Sequence, residues 1–273
     1  MDFSVSMCVY SGDNAEWFKT AIDSILDQTV KPDDIVLVVD GPVGEELDTV
    51  ISEYERLPVL NCIRLPKNTG HGAARKTGLE STKNELVAIM DADDISINDR
   101  FEKQLELFKA DGDLDVVGGN IAEFIGSKDN VVGKRTVPSD DASIKEYLKS
   151  RCPMNLVTVM FKKSSVQKVG GFIDWYCEED YYLWVRMYLA KMKFANCDDV
   201  LVNVRVGDDM YARRGGFKYF KSEKKLQKYM LKNGVISRPV YFLNVVKRFI
   251  VQVLMPNKVR AFVFKKFARE SEK

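Results

Sequence analysis

The chain has 273 residues, enough to bury a substantial core, and its 41 basic and 40 acidic residues leave a net charge of +1. No run approaches the roughly 20 uninterrupted apolar residues of a spanning helix. Met1-Asp2-Phe3-Ser4 lacks the basic and apolar stretches of a secretory leader, so a cytoplasmic catalytic part is expected. Cys8, Cys62, Cys152, Cys177 and Cys197 are odd in number and widely scattered, which argues against a zinc or paired-cysteine redox site and predicts reduced, packed side chains.

In chain order, residues 5–9 form a short apolar run that predicts a first strand. Trp17, Phe18, Ala21, Ile22, Ile25 and Leu26 then recur at helical spacing. Lys31-Pro32 ends that unit, and residues 35–39 predict a second strand running into Asp40. A helix around 45–56, a strand at 61–65, a helix at about 72–81 and a strand at 86–90 complete a βαβ alternation, the pattern of a mostly parallel sheet. Open sheets of this kind bind ligands beyond the carboxyl ends of their strands, so Tyr10, Ser11, Asp40, Asp91 and Asp93 are expected along one rim. After a helix at 100–110 the pattern turns mixed. Strands are predicted at 116–125 and 157–162, helices near 142–149 and 164–169, a turn at Gly170-Gly171, and a helix at about 180–190 behind Glu178-Glu179.

The fourth strand runs straight into Asp91-Ala92-Asp93-Asp94. Carboxylates this close repel one another and persist where something positive sits between them, and hard divalent cations prefer oxygen ligands shared with phosphate. A metal-diphosphate site is one reading; a polar turn capping the 100–110 helix is the other. Asn68-Thr69-Gly70-His71-Gly72-Ala73-Ala74-Arg75 is a glycine-bearing loop entering a helix whose first turn presents an arginine, and backbone amides and a guanidinium both suit a diphosphate. The chain has no Walker A sequence, and Gly70-His71-Gly72 does not continue into a dinucleotide fingerprint. With His71 its only histidine, a histidine triad or multi-histidine metal site is excluded.

The order Val9-Tyr10-Ser11-Gly12-Asp13-Asn14, Ser24 to Thr29, Val38-Val39-Asp40-Gly41, Asn68 to Arg75, Met90 to Asp94, Gly170-Gly171-Phe172 and Glu179-Asp180-Tyr181 resembles the family 2 glycosyltransferases of the GT-A fold. The resemblance spans roughly residues 3–205 and leans toward bacterial surface-polysaccharide enzymes. It implies an α/β/α nucleotide-binding sandwich with a mostly parallel central sheet and a C-terminal helical extension. It departs at Asp40-Gly41-Pro42, where many members carry a second acidic residue and a serine after the glycine. Residue by residue it implies that Asp40 binds the base, that Tyr10 and Ser11 line the nucleotide pocket, and that Gly70 and Arg75 lie near the diphosphate. Asp91 and Asp93 would hold the ribose side and a Mg²⁺ or Mn²⁺ on the phosphates, Asp180 would be the general base, and Glu179 would help bind the acceptor. Arg213 and Arg214 resemble a loop that closes over the donor diphosphate. The donor expected from the resemblance is a UDP-hexose, and the acceptor a polyprenyl-linked or oligosaccharide hydroxyl. Rival readings of the same acidic cluster are a sugar-phosphate nucleotidyltransferase, a phosphatase, or a non-catalytic membrane-associated scaffold. Asp94-Ile95 lacks the hydroxyl residue a phosphatase commonly carries after its Asp-x-Asp pair.

The near-neutral balance hides a division. From Arg213 onward there are 17 basic and 3 acidic residues, leaving 24 and 37 before it. A catalytic domain over 1–212 is therefore expected, with a donor half to about 110 and an acceptor half from about 111, followed by a basic amphipathic extension over 213–273. In that extension Tyr241, Phe242, Val245, Val246, Phe249, Ile250, Val253 and Leu254 form a helical stripe, with Asn244, Lys247, Arg248 and Gln252 on other faces. Phe262, Val263 and Phe267 continue it. Such a segment suits the anionic inner surface of the cell membrane, the alternatives being packing against the catalytic domain or against a second copy of the chain. No nucleic-acid reader motif accompanies the charge.

Overall fold

The computed structural model describes residues 1–207, 215–256 and 259–260, and joins nine strands of those residues in one sheet. Strand β1 (Phe3–Val9), helix α1 (Ala15–Leu26), β2 (Asp34–Val39), α2 (Glu45–Tyr54), β3 (Leu60–Arg64), α3 (His71–Ser81) and β4 (Leu86–Asp91) follow the predicted alternation. Their strands run parallel in the order β3-β2-β1-β4, with Val5 level with Ile35 on one side and Ala88 on the other. The inner strands are buried almost throughout and mostly apolar because both faces are covered, with Ser4, Ser6 and Asp34 as buried polar exceptions. Asn14 starts α1 by accepting a hydrogen bond from the Trp17 amide, and Phe18, Ala21, Ile22 and Ile25 turn inward. On the opposite face α3 lies so close to β1 that a Cβ on Gly78 would collide with Ser6 Oγ.

The second half is mixed: β5 (Ile95–Ser96), α4 (Arg100–Ala110), β6 (Val116–Phe124), β7 (Val131–Arg135), α5 (Asp141–Leu148), β8 (Met160–Lys162), α6 (Lys163–Lys168), α7 (Glu179–Leu189) and β9 (Phe194–Arg205). The sheet continues β4-β8-β6-β9-β5, with β7 alongside β6. β8 is antiparallel to both β4 and β6, whereas β9 is parallel to β6. The strand expected over 157–162 begins instead as a 3₁₀ turn at Leu156–Thr158, and only its last part joins the sheet. The seam at β4, β8 and β6 is bolted from behind by α4. Buried Arg100 donates to the Ile89 carbonyl, and Gln104 donates to the carbonyls of Val117 and Thr158.

Two further helices close the second half, α8 (Phe217–Lys232) and α9 (Arg238–Phe249), the latter running into a π-helical turn at Ile250–Leu254. Leu226, Met230, Val235 and Ile236 join a core cluster with Phe161, Phe172 and Trp184. The amphipathic stripe of α9 has the reverse orientation to that of an ordinary surface helix. Asn244 and Gln252, eight residues apart on one face with Arg248 midway between them, turn inward, while Phe242 is 70% and Leu254 61% exposed. Asn244 Nδ2 donates to the Lys149 carbonyl and to Gln227 Oε1, both at 2.9 Å. Polar contacts and the packing of Val240, Tyr241 and Phe249 attach the helix, and the rest of its apolar stripe faces outward.

Candidate active site

Strand polarity places the carboxyl ends of β1, β2 and β4 together, so Tyr10, Asp40 and Asp91 share one rim. Tyr10 and Ser11 are exposed in the turn after β1, where the Tyr10 amide donates to Asp13 Oδ2 at 2.9 Å. Asp40 is buried, and its carboxylate accepts from the amides of Thr69 and Gly70 and from the Thr69 hydroxyl, at 2.7 to 3.0 Å. It thus anchors the loop that delivers α3. Gly41 makes this approach possible: its φ of +90° suits glycine, and a Cβ would come within 2.5 Å of the Asn68 amide nitrogen. Gly70, with φ of +88°, precedes the first turn of α3.

Arg75, one turn into α3, is buried and bridges the two halves. Its Nη2 reaches Asp91 Oδ1 at 2.8 Å, and its Nη1 lies 3.4 Å from Glu179 Oε1. The donor rim and the start of α7 are therefore joined through one guanidinium. His71, exposed, lies 3.8 Å from the same Glu179 oxygen through Nδ1. Burial alone would raise the Glu179 carboxyl, but His71 and Arg75 outweigh it and hold the group below its ordinary range.

The three carboxylates after β4 part company. Asp94 turns inward, where it accepts from the Arg205 amide at 2.8 Å and ties the loop to β9. Asp91 is held by Arg75. Asp93 is half-buried, and its carboxyl is pushed up to about 6 by burial and by the neighbouring Asp91 and Asp13. That crowding fits a hard cation, whose charge would relieve it. Among the described residues no group of three or more His, Cys, Asp or Glu side chains forms a complete metal site. A pair of carboxylates completed by substrate phosphates is how Mg²⁺ is commonly held, so the donor set fits Mg²⁺ or Mn²⁺.

Asp180, second residue of α7, accepts from the Tyr181 amide through Oδ1 at 2.6 Å, and the Cys152 thiol lies 3.7 Å from Oδ2. Its carboxyl is raised by burial and by Glu179, against the opposing pull of the Tyr181 amide, Arg75 and Arg135. It borders a cavity of about 320 Å³ that also touches Arg135, Glu178 and Arg248. Sequence reasoning missed Asp13, Cys152 and Arg135 as members of the site, and also Arg205. Arg205 packs over the rings of Trp17 and Phe124, 4.7 Å from each centroid, while Nε donates to the Asp93 carbonyl. Only Asp13 sits inside a recognisable motif; the others arrive through long-range packing. Arg213 and Arg214 lie outside the described residues, as do Phe262, Val263 and Phe267. All five cysteines are free, with Cys177 exposed.

Residues 4–172 match the family described as "Glycosyl transferase family 2". A relative from Escherichia coli described as a UDP-Gal:alpha-D-GlcNAc-diphosphoundecaprenol beta-1,3-galactosyltransferase is 35% identical over 267 residues, covering 98% of this chain and 96% of the relative. The amylovoran biosynthesis glycosyltransferase AmsE of Erwinia amylovora is 34% identical over 267 residues, 97% of this chain and 98% of its own. Among solved structures, the mannosyltransferase PcManGT from Pyrobaculum calidifontis, in complex with GDP-Man and Mn²⁺, superposes with a TM-score of 0.64 at 15% identity, covering 92% of this chain and 70% of that one. The chain belongs to glycosyl transferase family 2 and has the GT-A type fold. It is a glycosyltransferase, which sets aside the nucleotidyltransferase, phosphatase and scaffold readings of the acidic cluster.

Proposed function

We propose that the chain moves a hexose from a UDP-sugar to a hydroxyl of a lipid-linked glycan, with inversion, in bacterial surface polysaccharide synthesis. The names of the E. coli and Erwinia relatives support the substrate classes and the process. The observation that carries the mechanism is the Arg75 bridge, which fixes Asp91 at the donor rim relative to Glu179, the residue before Asp180. Transfer breaks the anomeric C–O bond, leaves negative charge on a nucleoside diphosphate and frees a proton from the acceptor hydroxyl. Asp180 takes that proton, and one base acting opposite the leaving group makes a single displacement. Asp91 and Asp93 would hold Mg²⁺ or Mn²⁺, which when bound supplies charge neutralisation for the departing diphosphate. Tyr10, Ser11 and Asp40 form the nucleoside side of the pocket, Gly70 and Arg75 its diphosphate side, and Glu179 contacts the acceptor.

The same reading assigns residues 1–212 to catalysis, with a donor half to about 110 and an acceptor half beyond it, and 213–273 to a basic extension. Arg213 and Arg214, which lie outside the described residues, would on this reading bind the donor phosphates. The exposed apolar face of α9 lies on the anionic inner surface of the membrane, where a polyprenyl-linked acceptor is concentrated. No helix of the described residues is long and apolar enough to cross a membrane. The test is a panel of UDP-Glc, UDP-Gal and UDP-GlcNAc with Mg²⁺ or Mn²⁺, read as nucleotide release with and without acceptor. Asp93→Ala should lose metal-supported donor binding and transfer; normal turnover by that variant would reject the metal role.

A further inference from the structure

Asp180 is delivered by a short stretch of chain that α8 holds from behind. Ser222, a buried residue of that lysine-rich helix, donates from Oγ to the Tyr176 carbonyl at 2.6 Å, and the Trp175 indole donates back to the Ser222 carbonyl at 3.4 Å. The grip runs in both directions. Lys218 Nζ stands 4.0 Å from the centroid of the Tyr176 ring and Lys225 Nζ 4.1 Å from that of Trp175, a cation over each aromatic ring. Trp175 also packs on Tyr182 of α7 at 4.4 Å, and Tyr182 meets Tyr229 of α8 edge-on at 5.0 Å. Both the backbone and the rings of residues 175–176 are thus fixed on α8.

The other side of the same stretch rests on the donor half. A Cβ on Gly72, in the first turn of α3, would stand only 3.3 Å from Asp174 Cα, and Glu179 lies against Arg75. Between these holds the chain turns sharply: the Glu178 amide donates to the Trp175 carbonyl at 3.1 Å, and Cys177, third in that turn, takes a φ of +57°. Glycine is favoured at such a position, because a Cβ makes a positive φ costly. The Cys177 side chain is exposed, so the conformation is imposed by what pins the backbone on either side and not by packing of the thiol. Asp180 follows at the second position of α7.

Resting on the reading of Asp180 as the base, we infer that α8 is a positioning element of the active site: Ser222 acts through the turn at Cys177 to hold the Asp180 carboxylate in line with the hydroxyl it deprotonates. Misplacing a reacting group by about 1 Å can cost about 10²-fold in rate, so a hold of this kind is felt in turnover before it is felt in donor binding. The catalytic unit then reaches past residue 212, and α8 belongs to it.

The test joins a spectroscopic and a kinetic measurement on the full chain. With 5-fluorotryptophan at the three tryptophans, Trp17, Trp175 and Trp184, the ¹⁹F resonance of Trp175 should move in Ser222→Ala while the other two stay. With UDP-Gal and GlcNAc-diphosphoundecaprenol, the substrates in the name of the E. coli relative, Ser222→Ala should lower kcat about tenfold and keep the KM for UDP-Gal within about twofold. Ser222→Thr, which retains the hydroxyl, should recover most of the rate. Cys177→Val, whose branched side chain resists a positive φ, should reproduce the kcat loss without altering α8. Because Ser222 acts through Asp180, Ser222→Ala should cost the Asp180→Asn variant less than about twofold. An unmoved Trp175 resonance, an unchanged kcat, or the full tenfold loss in the Asp180→Asn background overturns the inference while leaving the base assignment standing. An Asp180→Asn variant as active as the wild type overturns the base assignment, and the positioning role with it. A wild type inactive on this pair rejects these substrates, and the same comparisons are then read from UDP release to water, where Asp180 would deprotonate the attacking water.

Discussion

At the scale of single residues, the proposed base Asp180 and the bridging Arg75 can be tested separately. Asp180→Asn keeps size and packing but cannot accept a proton, so transfer should fall by about 10²–10⁴ while UDP affinity holds. Calorimetry beside an acceptor-transfer assay checks both halves of that statement. Because burial and Glu179 raise the Asp180 carboxyl, its reactive anion is lost as pH falls through the raised value. The rate for the wild type should therefore decline toward acid pH with unit slope, and the residual rate of the Asn variant should lack that limb. Arg75→Met leaves Asp91 and Glu179 without their shared cation. The expected loss is about 3 kcal/mol, at the low end for a broken buried pair because Asp91 is about a third exposed. Urea unfolding measures it, and Arg75→Lys should recover part, since an ammonium lacks the fork that reaches two carboxylates.

Among the elements, α9 makes the clearest separation of fold from surface. Asn244→Ala removes two hydrogen bonds made inside the molecule and should cost about 1–3 kcal/mol. Phe242→Asp, on the exposed face, should change stability by less than about 0.5 kcal/mol yet weaken sedimentation with anionic liposomes. Phe249 is a poorer probe, because its ring packs edge-on against Phe220 at 5.3 Å. The stripe was legible in the sequence as periodicity, but periodicity does not say which side is inward; here the lattice of partners at Lys149, Gln227 and Ser150 decides. The β1 to β4 alternation was legible for a better reason. Strands covered on both faces must be apolar runs, and their ends carry Asp40 and Asp91 to the rim by geometry alone. β5 and β9 were not. β5 has two residues, and β9 includes Asn196, Asp198, Asp199 and Asn203, residue types that strands avoid, with a register break opposite Gly119 and Asn120. For the same reason Arg205 at the end of β9, and the carboxylate it fixes in Asp94, escaped a reading by motif.

Across the whole molecule, buried carboxyls give stability an unusual pH dependence. Glu178 is pushed well above its ordinary value by burial, Glu223 and Asp180. With the folded value above the unfolded one, its contribution is fully present below the free carboxyl range near 4.5 and is lost as pH rises through the folded value. Glu178→Gln, neutral at every pH, should therefore raise the melting temperature at pH 7.5 more than at pH 5. Differential scanning fluorimetry across that interval would show it, and an equal shift at both pH values would contradict it.

The sheet also governs the order in which the chain becomes competent during synthesis. All nine residues of β6 are buried, and β9 supplies one of its edges. The stretch recognised as the family ends at 172, whereas β9 begins at Phe194 and its far end both clamps Asp94 and pairs with β5. A nascent chain emerging only to 172 would expose the edge of β6, a template for pairing with other chains. The boundary of family recognition is thus no boundary of folding, and the acidic loop is secured only after Arg205 has left the ribosome.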